Sequence, residues 1–240
     1  MRSTTEILAH KDHRPFPYPD SSYKVYQEWH EAVFLHWEVP HSVLQKMLPE
    51  GLEVDTFHGK TYISLVAFKA ENSRPKYLPP VPLISDFLEA NIRTYVVRNG
   101  RPGIYFFSMK ADKTVAAAIF RGMTGFPYYP SYMHQDKKNF SSYQPQSKDY
   151  FDLRYKIGPI LSNKGELDRW LTERYCVYLE RFNKLLRFDV HHEEWPLQQV
   201  EIKDLRIRYN LKGFTLKDPK PLLAHYSKGV EVVAWFPTIT

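Results

Sequence analysis

Short apolar segments separated by turn residues run from residue 29 to the end of the chain, and this spacing constrains the fold most strongly. Segments of this length favour β-strands, and many short strands at regular spacing are typical of a β-sandwich or β-barrel. Asn99-Gly100, between two of these segments, predicts a tight β-hairpin. The predicted strands are residues 29–39, 61–70, 90–97, 104–111, 114–121, 150–157, 174–179, 185–189, 200–207 and 230–236.

The composition also favours a mainly β fold with a few helices. Aromatic residues make up 15% of the chain, and Pro outnumbers Gly by 18 to 10. Aromatic side chains suit a pleated, half-buried surface, while scattered prolines suit many short connections. Helices are predicted at residues 41–48 and 164–172. Because no shift in composition divides the chain, we expect an extended N-terminal arm at residues 1–22 and a single domain at residues 23–240.

The charge distribution and the cysteine content argue against several classes of partner. The formal net charge is +6, but the basic residues are scattered and no nucleic-acid motif accompanies them. No segment approaches the ~20 apolar residues of a membrane span, and the N-terminus lacks the apolar region of a secretory signal. The single cysteine, Cys176, excludes an internal disulfide and fits a reducing cytoplasm. We therefore expect a cytoplasmic protein without nucleic-acid or membrane partners, and a homo-oligomer stays an open alternative.

Residues 87–96 contain the most informative pattern. With a period of two, Glu89, Asn91, Arg93 and Tyr95 share one face of a strand. Such a face either meets water or lines an enclosed site, and the mixture of four different hydrogen-bonding groups favours the enclosed site. We predict Asn91, Arg93 and Tyr95 as ligand-binding residues and Glu89 as a catalytic acid or base. If Arg93 neutralises Glu89, the carboxyl group is structural, and the sequence leaves both possibilities open.

A second segment, residues 118–129, suggests further contacts with the same ligand. Its predicted strand carries Arg121 at the end and then enters a turn, where an arginine could pair with a carboxylate. Arg121, Tyr128 and Tyr129, together with His30 on an earlier strand, complete the predicted ligand-binding set. The alternative is an ordinary strand end that is packed by its two tyrosines.

Motifs for metal ions, nucleotides and serine hydrolysis are missing from the sequence. His30 and His36 are six residues apart, ~20 Å in an extended strand, so they cannot bind one ion together. His191 and His192 are adjacent and would point to opposite faces of a strand. The sequence contains no G-x-S-x-G, Walker or G-x-G-x-x-G motif. We therefore predict neither a metal nor a cofactor.

Several blocks of sequence resemble the YqjF-like family of bacterial proteins, a distant branch of the acetoacetate-decarboxylase-like superfamily. The resemblance covers most of the chain from about residue 29 onwards. It implies a closed or partly closed, antiparallel-rich β-barrel with a central cavity. The blocks are residues 34–40, 48–55, 87–96, 103–109, 125–129, 171–176 and 195–198.

The sequence departs from the decarboxylase pattern at the position that matters most for its chemistry. In the decarboxylases, two lysines precede a Leu-Gly-Tyr-Pro segment that is similar to residues 124–127, and one of them forms a Schiff base. Gly122 and Met123 stand at those positions here, so no amine is present. The nearest lysines, Lys110 and Lys113, flank a predicted turn and are expected to be solvated. The resemblance therefore implies the barrel and its pocket without the decarboxylation chemistry.

Three functions remain compatible with the sequence. One is an enzyme that acts without a Schiff base on a small oxo or hydroxy acid, with Glu89 as the base. Another is a non-catalytic protein that binds a carboxylate- or carbonyl-bearing metabolite in the same pocket. The third is a structural or interaction protein with a filled barrel. Whether the protein is an enzyme stays open at this point.

Overall fold

The computed structural model describes residues 4–240, and strands form most of the chain. The strands are β1 (Val25–Glu38), β2 (Glu53–Val54), β3 (Tyr62–Pro75), β4 (Phe87–Arg98), β5 (Arg101–Ala111), β6 (Tyr128–Pro130), β7 (Tyr132–Gln135), β8 (Asn139–Gln144), β9 (Asp149–Ile160), β10 (Cys176–Arg181), β11 (Lys184–His192), β12 (Leu197–Leu211), β13 (Phe214–Lys217), β14 (Leu223–Ala234) and β15 (Thr238–Ile239). The helices are α1 (Thr4–Ala9), α2 (His41–Met47), α3 (Pro82–Ser85), α4 (Thr114–Thr124) and α5 (Glu166–Thr172).

Seven of these strands close into a β-barrel in the order β14-β1-β3-β4-β5-β10-β11. Pairing of β11 with β14, from Val190 opposite Ala234 to His192 opposite Val232, completes the ring. Neighbours in the ring are antiparallel except for β5 and β10, which pair in parallel. The prediction of a closed or partly closed, antiparallel-rich β-barrel is confirmed, whereas its central cavity stays a prediction.

A second layer of strands covers one side of the barrel. Beyond β14 the sheet continues through β12, β9, β8 and β7, and this part folds back over β1 and β3. Phe140 and Phe151 from the second layer pack against Leu35, Ile63 and Leu65 on the outer face of the barrel. Alternate residues of β1 therefore face this layer, and the residues between them face the barrel interior.

The interior of the barrel is identified by side chains that converge from all seven strands. One cluster joins Phe34, Met109 and Val232 to α4, and another joins Tyr95 and Val177 to α5. Since β4 begins beside α4 and ends beside α5, the two helices lie at opposite ends of the interior. Within residues 4–240, no helix is long and apolar enough to cross a membrane.

Most of the predicted elements are present. The two exceptions are the strand predicted at residues 114–121 and the extended N-terminal arm. Asn99 and Gly100 both have positive φ values, at 50° and 72°, in the predicted β4–β5 hairpin. The strand predicted at residues 114–121 is wrong, because this segment forms α4 and ends at Gly125 with a φ of 81°.

The N-terminal arm also differs from its prediction, although residues 1–3 lie outside the described residues. Thr4–Ala9 form a helix, and Ile7 is fully buried against Val233 and Trp235. The arm is therefore not extended over these residues, although its aromatic residues do pack, as expected, with Tyr18 stacked on Trp235.

Candidate functional site

The polar face of β4 is enclosed inside the barrel. Glu89, Asn91, Arg93 and Tyr95 are between 0% and 9% exposed, although three of them carry charged or amide groups. The prediction that this face is turned away from water is confirmed. Four open depressions on the described surface lie elsewhere, and none of them is lined by these residues.

Glu89 lies at the end of the interior that α4 covers. Asn91 Nδ2 donates to Oε1 of Glu89 at 3.0 Å, and the Tyr128 hydroxyl donates to Oε2 at 2.8 Å. Burial raises the pKa of Glu89 to about 7, although both hydrogen bonds favour the charged form and oppose this rise. The carboxyl group is therefore poised to exchange a proton near neutral pH.

Arg93 does not neutralise Glu89. Its Nη2 donates to the carbonyl oxygen of Leu171 on α5 at 3.3 Å, the same oxygen that accepts from the Tyr95 hydroxyl at 2.9 Å. Positions 89 and 93 are about 13 Å apart along an extended strand. The predicted polar core is therefore divided, with Glu89 and Tyr128 at one end and Arg93 and Tyr95 at the other.

The Arg93 guanidinium is a buried cation without a carboxylate partner. No ion pair joins it to Asp or Glu among the residues that the structure describes, and its Nε has no hydrogen-bond partner. Its Cζ lies 5.9 Å from the centre of the Phe34 ring. Burial lowers the pKa of Arg93 from its ordinary value, but an arginine stays charged at neutral pH. The carboxylate that acts on its pKa from a distance is Glu173, which is bound to Lys164.

Two histidines that the sequence analysis did not select lie beside Arg93 and Tyr95. His36 Nδ1 is 2.7 Å from Ser64 Oγ, and Ser64 Oγ is 2.7 Å from the Tyr95 hydroxyl. His36 Nε2 is 3.2 Å from Nδ1 of His225. His36 was considered only as a metal ligand together with His30, and the signal that could have found it is its position two residues after the inward-facing Phe34.

The structure does not bring Arg121, Tyr129 or His30 to this interior. Arg121 is exposed on α4, where its guanidinium lies 4.9 Å from the centre of the exposed Tyr129 ring. His30 is part of a separate cluster, with its Nε2 3.0 Å from Glu28 and 3.4 Å from Glu71. Their ligand-binding roles stay predictions without support from this geometry.

The Glu28, His30 and Glu71 cluster has the geometry of three possible metal ligands. Its carboxylates already have partners, because the Tyr26 hydroxyl donates to Glu28 and the Lys69 ammonium lies 2.5 Å from Glu71. A cation would have to compete with this lysine.

The lysines near the decarboxylase-like segment require one correction. Lys110 is only 3% exposed, so the expectation that it is solvated is wrong. It lies opposite Ala90, on the barrel face that meets the second layer, and its ammonium bonds to Asp149 at 3.0 Å and to Gln144. Burial lowers the pKa of Lys110, while Asp149 opposes the shift. Gly122 and Met123 are exposed on α4.

Comparison with known proteins identifies the family. Residues 26–231 match DUF2071, a family described as an uncharacterized conserved protein. The chain belongs to this family. It is also 37% identical over 225 residues to the uncharacterized protein YqjF of Bacillus subtilis, covering 90% of this chain and 93% of that protein.

Solved structures of acetoacetate-decarboxylase-like proteins share the fold. The enduracididine biosynthesis enzyme MppR with HEPES bound has a TM-score of 0.63 at 13% identity, covering 91% of this chain and 88% of that one. An acetoacetate-decarboxylase-like enzyme from Sphingomonas wittichii RW1 has a TM-score of 0.62 at 15% identity, covering 94% and 98%. At these identities the similarity shows the fold alone.

Proposed function

We propose that this protein binds a small organic acid inside the barrel, with Arg93 as the counter-ion of its carboxylate. The observation that carries this proposal is the buried Arg93 guanidinium, which has no carboxylate partner among the described residues and a free Nε. Taking a charge out of water without pairing it is costly, and proteins rarely retain such a group without use. A guanidinium fork matches a carboxylate with two parallel hydrogen bonds.

The surroundings of Arg93 support a small ligand. Asn91 Oδ1, two residues before Arg93 on the same inward face of β4, is also buried without a hydrogen-bond partner. Buried polar groups normally have partners, so an unpaired amide oxygen near an unpaired cation suggests a bound molecule. One protein of the same fold, MppR, has been solved in complex with pyruvate, which makes small acids reasonable first probes.

Thermal unfolding with pyruvate and with lactate tests this proposal. Binding to the folded state alone adds about 2.7 kcal/mol of stability at a hundredfold excess of ligand over Kd, so the Tm rises with concentration. Arg93→Met should abolish the rise, because it removes the counter-ion while keeping a long apolar stem. The matched control, Arg121→Met, removes an exposed arginine and should leave the rise intact.

The alternative function, a structural or interaction protein with a filled barrel, predicts a different result for the same variants. If no ligand is bound, neither acid shifts the Tm, and Arg93→Met stabilises the protein because it replaces an unpaired buried charge. An equal rise in the wild-type protein and in Arg93→Met would place the binding elsewhere. Both results contradict the proposal.

A second candidate is an enzyme that transfers a proton on the bound acid, and the raised pKa of Glu89 favours it. Because Glu89 and Arg93 lie at opposite ends of the interior, pyruvate would bind here at the Glu89 end, away from Arg93. The Glu89 carboxylate would take a methyl proton while the electrons of the C–H bond move to the carbonyl oxygen as an enolate. Return of a deuteron from D₂O then replaces the methyl hydrogen, which proton NMR detects. Glu89→Gln should retain pyruvate binding and lose this exchange, and loss of both would show a structural role.

A further inference from the structure

A chain of hydrogen bonds leads from α5 to the interior beside Arg93. Asp168 Oδ1 lies 3.0 Å from His225 Nε2, and His225 Nδ1 lies 3.2 Å from His36 Nε2. From there, His36 Nδ1 contacts Ser64 Oγ, and Ser64 Oγ contacts the Tyr95 hydroxyl. His36 and Ser64 are fully buried, so water does not supply alternative partners along this part of the chain.

Asp168, at the outer end of this series of hydrogen bonds, determines which atom donates and which accepts in each of them. The Asp168 carboxylate only accepts, so His225 donates from Nε2 and its Nδ1 is left as an acceptor. His36 must then donate from Nε2, which makes its Nδ1 the acceptor for the Ser64 hydroxyl. Burial lowers the pKa of His36 and of His225, which keeps both rings neutral and consistent with this order.

The series of histidines and serine places no donor on the Tyr95 oxygen, and the neighbouring Arg93 guanidinium is the described group that donates to it. Because Ser64 gives its hydrogen to His36, Ser64 accepts from Tyr95, and Leu171 O offers a second acceptor to the same phenol hydrogen. Tyr95 therefore uses its one hydrogen within the protein. Its oxygen lies beside the Arg93 guanidinium, since both groups bond to Leu171 O.

We propose that the site prefers a 2-hydroxy acid to a 2-oxo acid, with Asp168 as the positioning residue that sets this preference through His225 and His36. This inference rests on the proposed carboxylate site at Arg93. A carboxylate on Arg93 brings the group on the next carbon towards Tyr95. A hydroxyl donates to the phenol oxygen, whereas an oxo group directs a lone pair at it and gains no hydrogen bond.

The variant Asp168→Asn tests the cause directly, because its amide has one permitted orientation. The other carboxylate oxygen of Asp168 accepts from the backbone N–H of Gly165 at 2.8 Å, at the start of α5. An asparagine must keep its oxygen on that N–H and so presents its NH₂ to His225. His225 and His36 then both carry their hydrogen on Nδ1, and Ser64 donates to Tyr95, whose own hydrogen stays on Leu171 O. The Tyr95 oxygen is then occupied by the Ser64 hydrogen and accepts less well from a ligand hydroxyl.

Nitrogen-15 NMR of histidine-labelled protein, without any ligand, shows which ring nitrogen of His36 and of His225 carries the hydrogen. In the wild-type protein, His36 and His225 should both carry the hydrogen on Nε2, and in Asp168→Asn both should carry it on Nδ1. The matched control is Glu166→Gln, which neutralises an exposed carboxylate on the same helix and should leave both rings unchanged. Wild-type rings with the hydrogen on Nδ1, or no change at His36 in Asp168→Asn, would overturn the proposed chain.

Calorimetric titration with L- and D-lactate and with pyruvate measures the preference for a hydroxy acid over an oxo acid. Wild-type protein and Glu166→Gln should bind one lactate enantiomer at least about tenfold more tightly than pyruvate, as expected for one hydrogen bond that only the hydroxy acid can donate to Tyr95. Asp168→Asn should reduce or reverse this ratio. A wild-type ratio near one, or an unchanged ratio despite altered rings, would refute the hydroxy-acid preference.

Failure of the carboxylate site itself has a separate signature. In that case neither acid binds to the wild-type protein, and Arg93→Met does not alter the titration. The hydroxy-acid preference then falls with the site, whereas the ring hydrogens still decide whether Asp168 orders the chain.

Discussion

The interior of the barrel changes the chemistry of Glu89. An unfolded glutamate has a pKa of 4.5, and burial raises the pKa of Glu89 to about 7 in the folded protein. The folded state therefore holds this proton more tightly than the unfolded state between these two values. Its contribution to stability is complete below pH 4.5 and is lost as the pH rises through about 7, an effect of about 3 kcal/mol.

Glu89→Gln should remove this part of the pH dependence. Urea unfolding from pH 4 to 8 should show the free energy of unfolding of the wild-type protein declining towards pH 8 relative to the variant. Glu166→Gln, at an exposed site, should follow the wild-type curve. If the curves of the wild-type protein and Glu89→Gln stay parallel, the carboxyl group does not have a raised pKa.

Single residues differ in how far the sequence could predict their surroundings. The period of two on β4 was sufficient to place Glu89, Asn91, Arg93 and Tyr95 on one face, and their mixture of hydrogen-bonding groups favoured the enclosed side. Lys110 could not be predicted in this way. Its burial depends on Asp149 and Gln144, which reach it through the long-range pairings of the second layer.

At the level of elements, α4 shows where a short apolar run is ambiguous. Residues 114–121 are apolar enough for a buried strand, which is the element that their pattern predicts. Three consecutive alanines favour a helix, and Gly125 closes it by adopting a left-handed conformation with its N–H bonded to Arg121 O. The difference matters for the site, since the helix carries Arg121 to the surface.

The parallel contact between β5 and β10 depends on the lack of a side chain at Gly103. An added Cβ there would lie 2.7 Å from Cys176 Sγ and 2.9 Å from Cys176 O, both closer than van der Waals contact. Gly103→Ala should therefore destabilise the protein by about 1–3 kcal/mol, as overpacking does in other cores. The midpoint and slope of urea unfolding measure this change.

Gly122→Ala is the matched control for that substitution. Gly122 lies in α4 with open space around the position of an added Cβ. Alanine there should be neutral or stabilise the protein by up to about 1 kcal/mol. Equal effects of the two substitutions would mean that the β5–β10 contact is looser than the structure shows.

For the whole molecule, the sequence predicted strands and the β4–β5 hairpin but not the other strand pairings. Ring closure requires β11 to meet β14 and β10 to pair in parallel with β5, and neither contact has a local signal. The barrel was instead implied by the resemblance to decarboxylase-like proteins, and the structural neighbours confirm it at 13–15% identity. Similarly, the divided polar interior depends on α5, which places Leu171 O between Arg93 and Tyr95.

The shared barrel lacks an amine where a Schiff base would need one. Lys110 is the buried lysine of the described residues, and it lies on the outer face of the barrel, held by Asp149 and Gln144. An amine must be unprotonated and reachable to attack a carbonyl, and an ion-paired lysine beneath a second sheet is neither. Treatment with pyruvate or acetoacetate and borohydride should therefore leave the mass of the protein unchanged.

A reduced adduct on any lysine would contradict this prediction, and peptide mapping would identify the residue. An adduct that Lys110→Met removes would mean that the second layer opens and exposes the outer face of the barrel. If it persists in that variant, a surface lysine is responsible. An unchanged mass, together with binding that depends on Arg93, would show that the barrel holds small acids without a Schiff base.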